Sequence, residues 1–303
     1  SDLVSGSWDA TGGMALGARL VIDDVRTASA ATNLFTGSNC NPCTVSGSEV
    51  NFSGPVSLGA SAVINNSAAS AISGAISGSG GLSKTGAGTL TLSGNNSHTG
   101  GTAINGGTLA LNHANALGST GAIRFEGGAS GGVLQYSAQN AVDYSARIAT
   151  TGNQAIRIDT NGRDITYATA LAGVGTSLEK LGGGSLILTA NGTYTGATTI
   201  SGGSLVLRHN TPTRGTSGFA GPGTLVIEPS GASFTTAGGF STTGWTFSDT
   251  QRLGGLTLGR DGNTSHITLD SAATVNGPVT VWGNNINVNA RLEATGSNTI
   301  ADR

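Results

Sequence analysis

Asp159 and Asp164 bracket the turn Thr160-Asn161-Gly162-Arg163 and form the most suggestive acid pair of this 303-residue chain. Glycoside hydrolysis asks for two carboxyl groups about 5 to 10 Å apart. Carboxylates beside an Asn-Gly turn more often bond their own backbone, and that reading is preferred here. Asp23-Asp24 next to Arg26 has the makings of a cation or substrate site, but a solvated surface cluster describes it better. Gly128-Ala129-Ser130-Gly131-Gly132 matches the spelling of a nucleophile elbow, which needs a strand-to-helix turn that nothing nearby supplies. The histidines His98, His113, His209 and His266 stand singly, with no nucleophile pattern near them, and read as surface or inter-coil side chains. No calcium-binding nonapeptide, phosphate loop or dinucleotide fingerprint occurs. These residues assign no catalytic role, cofactor or metal.

The two cysteines, Cys40 and Cys43, lie in Asn39-Cys40-Asn41-Pro42-Cys43-Thr44. A redox pair would want a strand before it and a helix after it, and a zinc site two more ligands at suitable spacing. Free thiols are the remaining alternative to the preferred reading, a small disulfide-closed loop in an exported protein. So short a loop would stiffen itself rather than hold a fold together.

Composition narrows the class. Charged residues make up 10% of the chain and glycine 51 of its 303 positions, with a net charge of −2. No basic run offers an electrostatic footprint for nucleic acid. No apolar stretch reaches the roughly 18 to 20 residues that a transmembrane helix needs. The first residues have no signal-peptide pattern, so the chain reads as a portion of a longer exported protein.

Internal repetition decides the architecture. Residues 80–111 and 176–207 align without a gap at an offset of 96, and 15 of the 32 positions are identical. Leu90 and Leu92 form one short alternating pair, Leu109 and Leu111 another, 19 residues further on. Alternation at period two means a strand with one buried face. Gly86 with Gly88, and Gly106-Gly107, offer positions where the backbone can turn with positive φ. Nine other short β-prone runs share this texture: 122–125, 133–136, 155–158, 164–167, 224–227, 255–258, 266–269, 278–281 and 286–288. The expectation is an all-β chain wound as a right-handed parallel β-helix, a β-solenoid of about 22 residues per coil. Residues 51–303 form the solenoid, and residues 1–50 a cap or irregular first coils that blunt its edge.

The pattern K-x-G-x-G-x-L-x-L-x-x-x-N-x-x-x-G-x-T-x-I-x-x-G-x-L-x-L runs from Lys84 to Leu111 and again from Lys180 to Leu207. It resembles the passenger-associated repeat of bacterial autotransporters. The tail, from Gly254-Gly255-Leu256-Thr257-Leu258-Gly259 to Asn285-Ile286-Asn287-Val288-Asn289-Ala290, resembles repeats of filamentous-haemagglutinin-type exoproteins, which leave by two-partner secretion. Both resemblances imply a β-helical adhesin, secreted to the surface of a Gram-negative bacterium. No C-terminal barrel is visible, which places the implied outer-membrane translocator outside this chain. The Gly-Asp-Ser-Gly signature of protease passengers is absent.

An adhesive solenoid binds through a long face or through loops that leave the coil. Residues 208–222 and 238–250 interrupt the repeat texture and bring Phe219, Phe240, Trp245 and Phe247 among polar residues. Aromatics beside hydroxyls suit contact with a receptor protein or glycan, and these four are the expected contacts. Packing onto the solenoid is their other reading. The weak net charge also permits self-association.

Overall fold

The computed structural model describes residues 43–47, 49–128, 131–213, 217–296 and 298–302. Most of the expected N-terminal cap lies outside them, as does the expected Cys40–Cys43 disulfide. The chain divides into two compact units, residues 1–142 with 147–149, and residues 143–146 with 150–303. Both are built as β-solenoid coils with parallel strands, and no α-helix occurs among the described residues. Among the described residues, no helix is long and apolar enough to cross a membrane.

In the first unit, Cys43–Gly47, Ala62–Asn66, Leu82–Thr85, Thr102–Ile104 and Ile123–Phe125 stack in that order. Beside them runs a second stack of Asn51–Phe52, Ser70–Ile72, Thr89–Leu92, Thr108–Leu111 and Val133–Gln135. A third wall pairs Val56–Ser57 with Ile76–Ser77. Register follows like on like. Leu90 faces Leu109 and Leu92 faces Leu111, so the 19-residue spacing of the leucine pairs is one coil. All four leucines are fully buried, each stabilising the coil by about 1.5 to 3 kcal/mol relative to exposure.

The second unit repeats the arrangement. Ala155–Asp159, Ser177–Leu181, Thr198–Ile200 and Phe219–Ala220 form one wall. Ile165–Tyr167, Ser185–Leu188, Ser204–Arg208, Thr224–Glu228, Gly255–Leu258, Val279–Gly283 and Thr299–Asp302 form a seven-stranded sheet. Its inner face carries an unbroken column, Leu186, Leu205, Leu225, Leu256 and Val279, each at most 1% exposed. A third wall stacks Phe240–Ser241, Ile267–Leu269 and Ile286–Val288. A fourth pairs Ala273–Val275 with Leu292–Ala294.

Corners between walls are tight, and two glycine positions in each repeat show why. Gly86 and Gly107 adopt φ of 74° and 58°, and their counterparts Gly182 and Gly203 adopt 66° and 61°. A β-carbon on Gly86 would stand 2.4 Å from the Asn66 carbonyl oxygen, and one on Gly107 2.3 Å from that of Gly88. Side chains are excluded there by backbone conformation and by the neighbouring coil together. Gly88 and Gly106, read from sequence as further positions of positive φ, are not among the positive-φ glycines of the structure. Gly88 is required instead by a close approach, since its β-carbon would meet the Ala68 carbonyl oxygen at 2.2 Å.

Steps between paired strands are mostly 19 to 23 residues, as in Leu186 to Leu205 and Leu256 to Val279. One coil is longer. Leu225 pairs with Leu256, a step of 31 residues, without any break in the leucine column.

Candidate functional site

The first functional question is what the repeat motif holds in place. Lys84 and Lys180 are the chain's only lysines, and both are fully buried. Each lies on the inward face of its strand, in a column with isoleucines: Ile64 and Ile104 for Lys84, Ile158 and Ile200 for Lys180. The ammonium of Lys84 donates to the carbonyl oxygens of Thr85 (2.5 Å), Gly86 (2.8 Å) and Gly106 (3.2 Å). Lys180 does the same with Leu181 (2.8 Å), Gly182 (2.9 Å) and Gly202 (3.1 Å). Two acceptors belong to the lysine's own corner and the third to the corner of the following coil. The lysine therefore ties two coils together at the glycines that shape them. Burial pushes both ammonium groups down to about 8, and Asp159 and Asp164 oppose that shift at Lys180. Three carbonyl dipoles on three N–H bonds are the arrangement that keeps such a charge hydrogen-bonded in a dry interior.

The four expected contact aromatics are brought together by the 31-residue coil and by the loop before it. Phe219 and Trp245 stack at 5.5 Å, Phe219 and Phe247 at 6.4 Å, and Phe240 meets Trp245 edge-on at 5.5 Å. Phe234, which the sequence reading did not single out, stacks on Phe240 at 5.1 Å. All five are at most 7% exposed. The Phe219 amide donates to Thr246 and its carbonyl accepts from Ser248, so residues 246–248 lie along the Phe219–Ala220 strand. The rings face inward and knit the excursion to the coil beneath it.

What the excursion turns outward is polar. Asp270, on the neighbouring coil, accepts from the Ser241 hydroxyl (2.6 Å), the Thr243 hydroxyl (2.8 Å) and the Asn289 amide (2.8 Å). These donors, Ser241 first among them, hold its exposed carboxyl below the usual carboxylate range. Elsewhere in the second unit, an open depression of about 470 Å³ is lined by Arg208, Glu228, Ser230, Arg260 and Asp261. There Arg208 Nε pairs with Glu228 at 2.6 Å.

The acid pair read from sequence serves the backbone. Asp159 accepts from the Asn161 amide at 2.8 Å and Asp164 from the Ser185 amide at 2.9 Å, while Asn161 itself adopts a φ of 48°. Among the described residues, no group of three or more His, Cys, Asp and Glu side chains is placed to hold a metal. Asp23, Asp24, Ala129 and Ser130 lie outside those residues. Of the surface and inter-coil readings of His98, the structure has the inter-coil one, since the side chain is fully buried.

Residues 82–111 and 178–207 each match the passenger-associated-transport-repeat family. This is a chain with the repeats of an autotransporter passenger. Each match spans two successive coils, including the buried lysine, its glycine corner and both leucine pairs. Such repeats belong to secreted or surface-exposed proteins. No curated protein and no solved structure matches the chain.

Proposed function

We propose that this chain works as an adhesin: a β-solenoid passenger on the surface of a Gram-negative bacterium that attaches it to host cells, to surfaces or to sister bacteria. The observation that supports this most is the pairing of two passenger repeats with one enlarged coil. Each repeat supplies two stacked coils within its own unit, held by a buried lysine and buried leucines. The enlarged coil, closed underneath by aromatic rings, presents Ser241 and Thr243 beside Asp270 of the neighbouring coil. Hydroxyls and a carboxylate already fixed by mutual hydrogen bonds can bind a receptor protein or glycan without first being ordered. On this reading the aromatics act by holding that surface, and any translocator is a separate part of the export system.

The test uses beads coated with the purified chain. They should bind epithelial cells or bacteria more than albumin-coated beads do, and the triple variant S241A/T243A/D270A should bind less while keeping the wild-type circular dichroism spectrum. Binding no stronger than albumin on every surface tried would overturn the adhesive reading. Undiminished binding by the triple variant would move the contact away from the enlarged coil.

A further inference from the structure

The second repeat contains a buried polar pair whose counterparts in the first repeat have no hydrogen-bond partner in the protein. Tyr194 OH lies 2.8 Å from Thr198 Oγ1, both groups buried. Burial pushes the phenol up to about 12, so it is a neutral hydroxyl. The equivalent residues 96 positions earlier are His98 and Thr102. The two threonines occupy matching places, Thr198 between Leu178 and Phe219, and Thr102 between Leu82 and Ile123. Each hydroxyl thus projects among apolar side chains of the coils on either side. Thr102 is 1% exposed and His98 fully buried, and neither ring nitrogen of His98, nor Thr102 Oγ1, has a hydrogen-bond partner in the protein.

Three orphaned polar atoms at one corner would cost too much to leave dry. An imidazole ends about 2 Å short of the point a tyrosine hydroxyl reaches from the same backbone position, so a small displacement leaves one oxygen at hydrogen-bond distance from the ring. We propose that the first repeat binds one water molecule between His98 and Thr102, in the place that the Tyr194 hydroxyl fills in the second. A neutral imidazole offers one donor and one acceptor, and a threonine hydroxyl can act as either, so a bridging water finds the two polar partners it needs at minimum. The neighbouring Arg147 does not supply the missing bond. Its guanidinium is spent on the carbonyl oxygens of Leu117, Gly118, Thr120 and Gly121.

A crystal structure of the wild-type chain at a resolution that shows ordered waters, together with two variants, tests the site. Density for one water within hydrogen-bond distance of both His98 and Thr102 Oγ1 is expected. H98Y should displace that water, bond Thr102 directly and raise the melting temperature by about 2 °C or more, whereas H98F should lower it. The proposal is overturned if the wild-type density shows Thr102 Oγ1 bonded directly to a protein group with no water between, or if H98Y destabilises as much as H98F. Should H98Y fail to fold, the wild-type density decides alone.

Discussion

The ammonium of Lys84 donates to the carbonyl of Gly106, 22 residues further on and one coil away. Lys180 makes the same bond to Gly202. A side chain usually found in solvent is here an internal fastener between successive turns, and its removal is the most direct probe of the repeat.

Lys84→Met keeps the aliphatic stem and deletes the three donors. The carbonyl oxygens of Thr85, Gly86 and Gly106 lose a partner in a site without water, which should cost about 2 to 4 kcal/mol. Hydrogen exchange should show the loss first in residues 82–108. Unchanged protection there would mean that the glycine corner holds without its lysine.

Leu90→Asp and Leu186→Asp each place a carboxylate at a position that is 0% exposed. The penalty should exceed about 4 kcal/mol and unfold at least the neighbouring coils. Circular dichroism and limited proteolysis would report it, and a variant as protease-resistant as wild type would contradict the burial described here.

Trp245→Ala removes a ring that touches both Phe219 and Phe240. A loss of about 3 to 5 kcal/mol, confined to the enlarged coil, is expected from the cavity alone. Near-ultraviolet circular dichroism should lose its aromatic signal while the far-ultraviolet spectrum stays. If binding fell with no change in stability, the ring would be a contact and not a support.

Acid should weaken the first repeat through His98. Burial first, and Arg147 second, push its imidazole down to about 4, against 6.5 for the unfolded chain. Between those values the unfolded chain binds more protons than the folded one. The contribution is therefore fully present above pH 6.5 and is lost as pH falls through 4, on the order of 3 kcal/mol in all. Chemical denaturation of wild type and H98F at pH 7 and pH 4 isolates it: the gap between them should narrow in acid.

Much of the fold is legible in the residues because a solenoid is governed by local rules. The leucine pairs name the inward face, their spacing names the coil, and all nine further β-prone runs contain strands. What the site does is less legible, because its decisive contacts cross coils. Lys84 and Lys180 open the two copies of the repeat pattern, yet nothing local says that their ammonium groups turn inward. That depends on carbonyls displayed by a later glycine corner. Phe219 and Phe247 read as neighbours of polar residues in sequence, but their rings stack only because residues 246–248 run beside the Phe219–Ala220 strand. For His98 the sequence left surface and inter-coil placements open for the same reason, since its burial is fixed by coils before and after its own.

The step from Leu225 to Leu256 is about ten residues longer than its neighbours, yet both leucines keep their place in the column. Length added between two strands of one turn is absorbed sideways and leaves the turns above and below untouched. The stretch between these two strands is therefore a socket. Foreign peptides grafted between residues 228 and 255 should be displayed without retuning the scaffold.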